Sequence, residues 1–279
     1  MKTIKSVLLF SIAAIFAVGV QAQKLRESKI SEILSSGSLP QNLVLNNEPQ
    51  KYVVTTDHFN TDIFGNFINK MRVKGEYTRG LESGKAKWNN VTISMAMTRD
   101  AEFPEGNPVD YMEDFTYNIS EDMLKPEAFA TFGENAAFTK NLIWDMMGIE
   151  GFAWSSFEKL KLNESFADER FNGKMDLAGQ GSFENKDVQI MWAGISERNG
   201  ESCAVIEYRT FNNPLEYAGE GMSMKGRSHY WGTIWVSLED KQIEHAVLYE
   251  DVVMEMNLPG QTSKQIMNAV REISFVKVI

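Results

Sequence analysis

In the stretch QIMWAGISERNGESCAVIEYR, residues 189–209, two segments of period-two apolar patterning flank one tight turn, the strongest indication of a β-rich fold in the chain. Asn199-Gly200 is the dipeptide that best accepts positive φ at both central positions of a two-residue hairpin turn. Arg198 is therefore expected to face Glu201 across an antiparallel ladder. The rest of the chain is interpreted outward from this hairpin.

Counting back from the turn predicts which residues of this hairpin share a face. The predicted core face pairs Ile195 with Ala204, Ala193 with Ile206 and Met191 with Tyr208. The predicted opposite face is mixed and carries Ser196, Cys203, Gly194, Val205, Trp192, Glu207, Ile190 and Arg209.

A second hairpin is predicted from residues 228–237 and 243–257, joined by the polar turn 238–242. One face of its first strand carries Tyr230, Gly232, Ile234 and Val236, and the other carries His229, Trp231, Thr233, Trp235 and Ser237. Further strands are expected at residues 51–56, 71–79, 87–97 and 272–279. The result is a long meander of antiparallel strands.

Helical patterns are fewer than strand patterns. Phe138, Leu142, Ile143, Met146 and Met147 form one apolar stripe that Gly148 is expected to end. Residues 25–34 predict a second helix, closed by Gly37. The capping-box spacing of Thr262 and Gln265 predicts a third, before the last strand.

These patterns predict a β-rich α+β fold. We expect a long antiparallel meander that forms a curved sheet or half-barrel, with two to four short helices packed on one face. We expect a single β-rich domain over residues 23–279. Two related β-rich halves, with a boundary near residues 150–185, are the alternative.

The amino terminus predicts export. Lys2 and Lys5 precede an apolar run from residue 7 to residue 20, and Val20-Gln21-Ala22 fits a cleavage site before Gln23. The run is too short for a comfortable membrane span. We expect residues 1–22 to be a signal peptide, and the mature chain to be a soluble periplasmic or extracellular protein without an integral membrane segment.

Charge and cysteine content restrict the partners and the source of stability. The formal net charge of -10 becomes -12 without Lys2 and Lys5, which disfavours nucleic acid and anionic membrane as partners. Cys203 is the only cysteine, so stability must come from a packed core and not from an intramolecular disulfide. The oligomeric state is not predicted.

The second hairpin carries the candidate catalytic residues, His229 and Asp251, with His245 and Glu250 as possible helpers. If Ser237 lies opposite Ile243, then His229 faces Asp251, Trp231 faces Tyr249 and Trp235 faces His245. A shift of one residue separates all three pairs. The alternative is a structural cross-strand contact or exposed polar residues.

Trp231, Trp235 and Tyr249 are the candidate ligand-binding residues, because aromatic rings combine a large contact area with polar edges. A second core layer is the alternative interpretation. Eight methionines add adaptable apolar surface that suits a flexible lipid, namely Met95, Met97, Met146, Met147, Met222, Met224, Met254 and Met256.

No cofactor and no metal site is predicted. The acidic stretch with Asp100, Glu102, Glu105, Asp110, Glu113 and Asp114 lacks the spacing of a calcium loop and is interpreted as a solvated loop. Cys203 lacks a partner that would activate its thiol, so an inert packed thiol is expected.

Three functions remain open at this point. The preferred one is a non-catalytic exported protein that binds an apolar or amphipathic small molecule. The alternatives are a hydrolase or lyase that uses the His-carboxylate pair, and a surface interaction protein without a pocket.

Overall fold

The computed structural model describes residues 24–177, 179–219, 221–260 and 262–279. The predicted signal peptide, residues 1–22, lies outside the described residues. Strands make up 53% of the structure, so the β-rich character is confirmed.

The described residues contain two α-helices and thirteen strands. The helices are α1 (residues 24–36) and α2 (Ala136–Trp154). The strands are β1 (Gln50–Asp62), β2 (Phe67–Leu81), β3 (Lys85–Ala96), β4 (Asn107–Pro108), β5 (Phe115–Asn118), β6 (Ser165–Ala167), β7 (Gly173–Asp176), β8 (Gly181–Asn185), β9 (Gln189–Arg198), β10 (Glu201–Gly219), β11 (Met222–Ser237), β12 (Ile243–Asn257) and β13 (Gln265–Lys277). Short 3-10 helices connect several of them, and the longest covers Pro126–Asn135.

All thirteen strands belong to one antiparallel sheet that is not closed. Its main order is β4-β3-β2-β1-β13-β12-β11-β10-β8-β7, while β9 pairs with the first half of β10, β6 pairs with β9, and β5 pairs with β3. The large antiparallel sheet is therefore confirmed, and the last strand lies between β1 and β12. The single-domain organisation of residues 23–279 stays a prediction.

The hairpin of β9 and β10 confirms half of the predicted register. Asn199 and Gly200 have φ of 52° and 80°, and Arg198 faces Glu201 as expected. Ile195 also faces Ala204, but the ladder shifts by one residue beyond Val205.

That shift corrects two predicted pairs. Ile206 faces Trp192 and not Ala193, and Tyr208 faces Ile190 and not Met191. A bulge at Gly194, whose φ is 151°, turns the strand by one position. It buries Trp192 and Ile190 in the core and moves Met191 to the opposite face.

Two helix predictions are also wrong in detail. Residues 265–270 are strand and not helix, because all of them pair with β12 and residues 267–270 also pair with β1. Helix α2 continues past Gly148 to Trp154, where its apolar side still faces the core. Helix α1 ends at Gly37 as predicted, with φ of 64° and an amide that donates to the Leu34 carbonyl.

The core lies between one face of the sheet and α2, and this face is called the inner face below. Ile234, Ala246, Ile273 and Phe275 are among its fully buried residues on the central strands. Phe152 of α2 stacks on Tyr208 of β10 with ring centroids 4.6 Å apart. The opposite face, called the outer face, carries Trp231, Trp235 and Tyr249.

Buried ion pairs add to the apolar contact between α2 and the inner face. Glu150 of α2 accepts hydrogen bonds from Tyr77 and Arg79, and Asp145 pairs with Arg271 at 2.7 Å. Arg271 also pairs with Glu250 at 2.7 Å. Burial raises the pKa of Asp145 to about 6, although Arg271 opposes that rise.

Candidate functional site

The β11–β12 hairpin has the register that brings the predicted residues together. His229 faces Asp251, Trp231 faces Tyr249 and Trp235 faces His245. Ser237 does not face Ile243 as supposed, because a bulge beside the turn pairs Val236 with Ile243. The three predicted pairs are nevertheless correct, and all of them lie on the outer face.

His229 and Asp251 are neighbours without a hydrogen bond between them among the described residues. The Nδ1 atom of His229 accepts from the Asn212 amide at 3.1 Å, which places the proton of a neutral ring on Nε2. Within the same described part of the chain, the buried Oδ1 of Asp251 has no hydrogen-bond partner. The pair is thus adjacent, but the imidazole is already used to hold the backbone of β10.

The two possible helpers lie away from this pair. Glu250 is on the inner face, where it binds Arg271 and accepts a hydrogen bond from Ser228 at 2.5 Å. His245 is six residues from Asp251 along β12, about 20 Å in an extended strand. Neither side chain can take part in proton transfer at His229.

The aromatic candidates separate into two environments. Trp231 is 45% exposed and stacks on Tyr249 with ring centroids 6.0 Å apart and an interplanar angle of 28°. Trp235 is half-buried, with the Arg198 guanidinium 4.5 Å above its ring and His245 at 5.1 Å. Only the first pair offers a ring face to solvent.

An open groove of about 480 Å³ begins at Trp231. It runs over β11, β10 and β9, and its outward-facing lining includes Gln189, Met191, Glu207, Arg209, Phe211 and Trp231. Tyr249 supports the groove from the next strand, whereas Trp235 is outside it. Its volume is in the range of small-molecule sites.

Phe211 is the second large aromatic side chain in the lining of the groove, and it lies at a bulge in β10. The ladder shifts between Thr210 and Asn213, and Asn212 adopts a φ of 60°. Phe211 is 51% exposed, lies 6.1 Å from the His229 ring, and has the Arg209 guanidinium 5.6 Å from its centroid. The rings of Phe211 and His229 and the guanidinium of Arg209 therefore lie together at one part of the groove.

Phe211 and Arg209 were not among the site residues predicted from the sequence. Arg209 had been placed on the mixed face of β10, which is correct. The alternation of Glu207, Arg209 and Phe211 on that face could have suggested them, but the bulge that turns Phe211 towards His229 has no marker in the sequence.

One group of carboxylates could hold a cation. Oxygen atoms of Glu201, Asp240 and Glu244 lie within 4.8 Å of one another. Lys277 already donates to Glu244, so this group contains a cationic partner from the protein itself. The acidic residues 100–114 are exposed, as predicted for a solvated loop.

Comparisons with known proteins add little about the function of this chain. No protein-family model matches the chain, and no curated protein matches it. The chain is similar to a solved structure of lipovitellin that concerns lipid-protein interactions, at 8% identity and a TM-score of 0.38. The match covers 83% of this chain but 25% of the lipovitellin chain, and a likeness this weak carries no argument about function.

No helix in the described ranges has the length and apolar character needed to cross a membrane.

Proposed function

We propose that the mature protein acts after export as a non-catalytic binder of an amphipathic small molecule, held in the outer groove between Trp231 and Phe211. The observation that carries the proposal is the exposure of these two large rings, 45% and 51%, in the lining of one groove. Exposed aromatic rings with a concave surface between them are typical of ligand sites.

The chemistry of the groove favours a ligand with an apolar body and an anionic group. Trp231, Met191 and Phe211 supply apolar contact, and Tyr249 holds the Trp231 ring in place by stacking. Arg209 supplies a cation that lies over the Phe211 ring. A guanidinium on an aromatic ring can still donate to an anionic group of a ligand.

The larger surroundings also suit an amphipathic ligand. The outer face carries further exposed apolar side chains on β12 and β13, namely Val253, Val270 and Val276. Clusters of exposed apolar residues on one face are more often binding surfaces than scattered single ones are. If the sheet curves as the sequence predicts, such a ligand would extend along this face.

The catalytic alternative is less favoured for two reasons. The His229 Nδ1 atom is engaged by the Asn212 amide, and Glu250 belongs to an ion cluster on the other face. Within the described residues His229 and Asp251 do not hydrogen-bond to each other, so the carboxylate does not orient the imidazole as a general base would require. The binding hypothesis needs no acid-base pair in the groove.

The test is a fluorescence titration with 8-anilinonaphthalene-1-sulfonate, which has an apolar two-ring body and one sulfonate. Wild-type protein should bind it saturably, and Trp231→Ala should weaken binding by about tenfold, as expected for loss of an aromatic anchor. Arg209→Gln should weaken it less and reduce its dependence on salt.

Trp235→Ala is the matched control, because Trp235 lies on the same strand and face but outside the groove. It should leave the affinity unchanged. Near-ultraviolet circular dichroism of each variant establishes that the fold is retained. Equal affinities of the two tryptophan variants, or unfolding of Trp231→Ala, would overturn the proposal.

A further inference from the structure

The turn between β1 and β2 carries two large apolar side chains into solvent. Ile63 is 51% exposed and Phe64 is 84% exposed, which makes Phe64 the most exposed aromatic residue in the described part of the chain. Leaving such side chains in water forgoes the favourable free energy of their burial. Ile63 and Phe64 are called the apolar tip below.

Polar groups hold this turn, and the side chains of the apolar tip do not. The Asp62 carboxylate accepts hydrogen bonds from the main-chain amides of Phe64 and Asn66, both at 2.9 Å, and from the Asn66 side-chain amide at 2.8 Å. The Asp62 amide donates to the Asn66 carbonyl, and the Gly65 amide donates to the Asp62 carbonyl. The turn therefore presents the apolar tip in a defined backbone conformation.

The strand ends beside the apolar tip carry apolar side chains on the inner face. Met254 of β12 faces Met267 of β13, and Met267 also faces Asp62 at the start of the turn. Both methionines are half-buried. Met95 of β3 lies on the same face by its register with β2 and β1, and it is exposed.

The outer face of the same end is also apolar. Val253 of β12 and both Ile266 and Val270 of β13 are exposed. They alternate along their strands with Met254 and Met267, so they project from the opposite face. Exposed or half-buried apolar side chains therefore surround this end of the sheet on both faces and at its tip.

The opposite end of the sheet has a different character. Arg26 of α1 donates to the Gly200 carbonyl there, and the Asn46 amide donates to the Asp240 carbonyl. Lys277 pairs with the buried Glu244 at this end. Accumulation of exposed apolar side chains is thus a property of one end of the sheet.

This distribution favours a lipid bilayer as the partner over a folded protein. A folded protein packs against one face of a sheet, whereas acyl chains can contact both faces of a strand end that enters them. Main-chain groups that enter a bilayer need internal hydrogen bonds, and the amides of Asp62, Phe64, Gly65 and Asn66 all donate within the turn. The formal net charge of -10 repels an anionic surface, so lipids without net charge are the better match.

We propose that this end of the sheet docks on a bilayer of zwitterionic lipid, with Ile63 and Phe64 entering the boundary between headgroups and acyl chains. The docking surface is separate from the ligand groove, which lies over β9, β10 and β11. The proposal therefore does not depend on ligand binding in the groove.

The test is flotation of the protein with phosphatidylcholine vesicles in a density gradient. The parent should float with the vesicles, and Ile63→Ser with Phe64→Ser should lower the partition coefficient by at least tenfold, because two large apolar side chains are lost from the boundary. Adding phosphatidylglycerol to the vesicles should weaken binding of the parent. Stronger binding to the anionic vesicles would contradict the choice of zwitterionic lipid.

Leu25→Ser with Val44→Ser is the matched control. Both side chains are exposed, and both lie near the contacts of Arg26 and Asn46 at the opposite end of the sheet. The control should float as the parent does. Failure of the parent to float, or equal loss in both double variants, would overturn the proposal.

A fluorescence measurement tests the same contact without removing both side chains. Cys203 is buried, so a nitrobenzoxadiazole label attaches selectively to Phe64→Cys. Its emission should rise with phosphatidylcholine vesicles and be quenched by nitroxide-labelled lipid, whereas the same label on Val44→Cys should not respond. An unresponsive label at position 64 would overturn the proposal. So would self-association of the parent that the serine substitutions abolish and vesicles do not affect, because the partner would then be a second copy of the chain.

Discussion

At the residue scale, the tryptophans show how one residue type takes two roles in this sheet. Trp88 and Trp192 are 1% and 0% exposed and fill the core, while Trp231 is 45% exposed on the outer face. Exposing a large ring forgoes the free energy that its burial would contribute, on the order of 2 kcal/mol. An amphipathic ligand that covers Trp231 would recover part of it.

Cys203 provides a residue-scale test of the packing. Its thiol is fully buried, and burial raises its pKa to about 12, with Glu244 and Glu201 adding to the effect. Because the thiolate is the reactive form, the native protein should not react with iodoacetamide in mildly alkaline buffer. Mass spectrometry should find the adduct only after unfolding in guanidinium, and rapid labelling of the native protein would contradict the burial.

At the element scale, bulges decide which side chains reach each face. Gly194 has a φ of 151°, a value that other residues rarely adopt, and it sets the register that buries Trp192. We expect Gly194→Ala to lower the free energy of unfolding by about 1–3 kcal/mol. Denaturant unfolding measures this change.

Gly148→Ala is the control for that prediction. Gly148 lies inside α2, and a Cβ atom there would meet only Phe152, at 3.9 Å. The substitution should raise the stability by about 0.5–1 kcal/mol, because alanine favours the helix. A Gly194→Ala variant as stable as wild type would mean that the bulge does not need positive φ.

The attachment of α2 to the sheet gives a second prediction at this scale. Arg271 is buried between Asp145 and Glu250, so Arg271→Met leaves two buried carboxylates without their cation. We expect a loss of about 3–5 kcal/mol in the free energy of unfolding. Lys225→Met, which removes a solvent-exposed pair with Glu216, should leave the free energy of unfolding nearly unchanged. Similar losses in the two variants would contradict the buried network.

The same scale explains which elements the sequence predicts well. Asn199-Gly200 specifies its turn through local backbone chemistry, so the hairpin and its first pairs are correct. The capping-box spacing of Thr262 and Gln265 is also a local signal, but pairing with β1 and β12 overrides it and residues 265–270 are strand. Bulges at Gly194 and Asn212 depend on the pairing of both neighbouring strands, so the sequence of one segment alone does not predict them.

At the scale of the whole molecule, one open sheet separates two kinds of surface. The inner face packs α2 against the central strands. The outer face carries the groove with Trp231 and Phe211. The large antiparallel sheet follows from strand periodicity, whereas the His229–Asp251 and Trp231–Tyr249 pairs depend on a register that the polar turn 238–242 left open. The roles of Phe211 and Arg209 require the assembled register.

The most direct test of ligand binding at the groove is an NMR titration of protein labelled with ¹⁵N at its six tryptophans, using sodium dodecanoate below its micelle concentration as the probe. The indole signal of Trp231, assigned from Trp231→Phe, should shift saturably, while the signals of buried Trp88 and Trp192 stay unchanged. An unchanged Trp231 signal at saturating probe, or shifts confined to the other tryptophans, would contradict the proposed site.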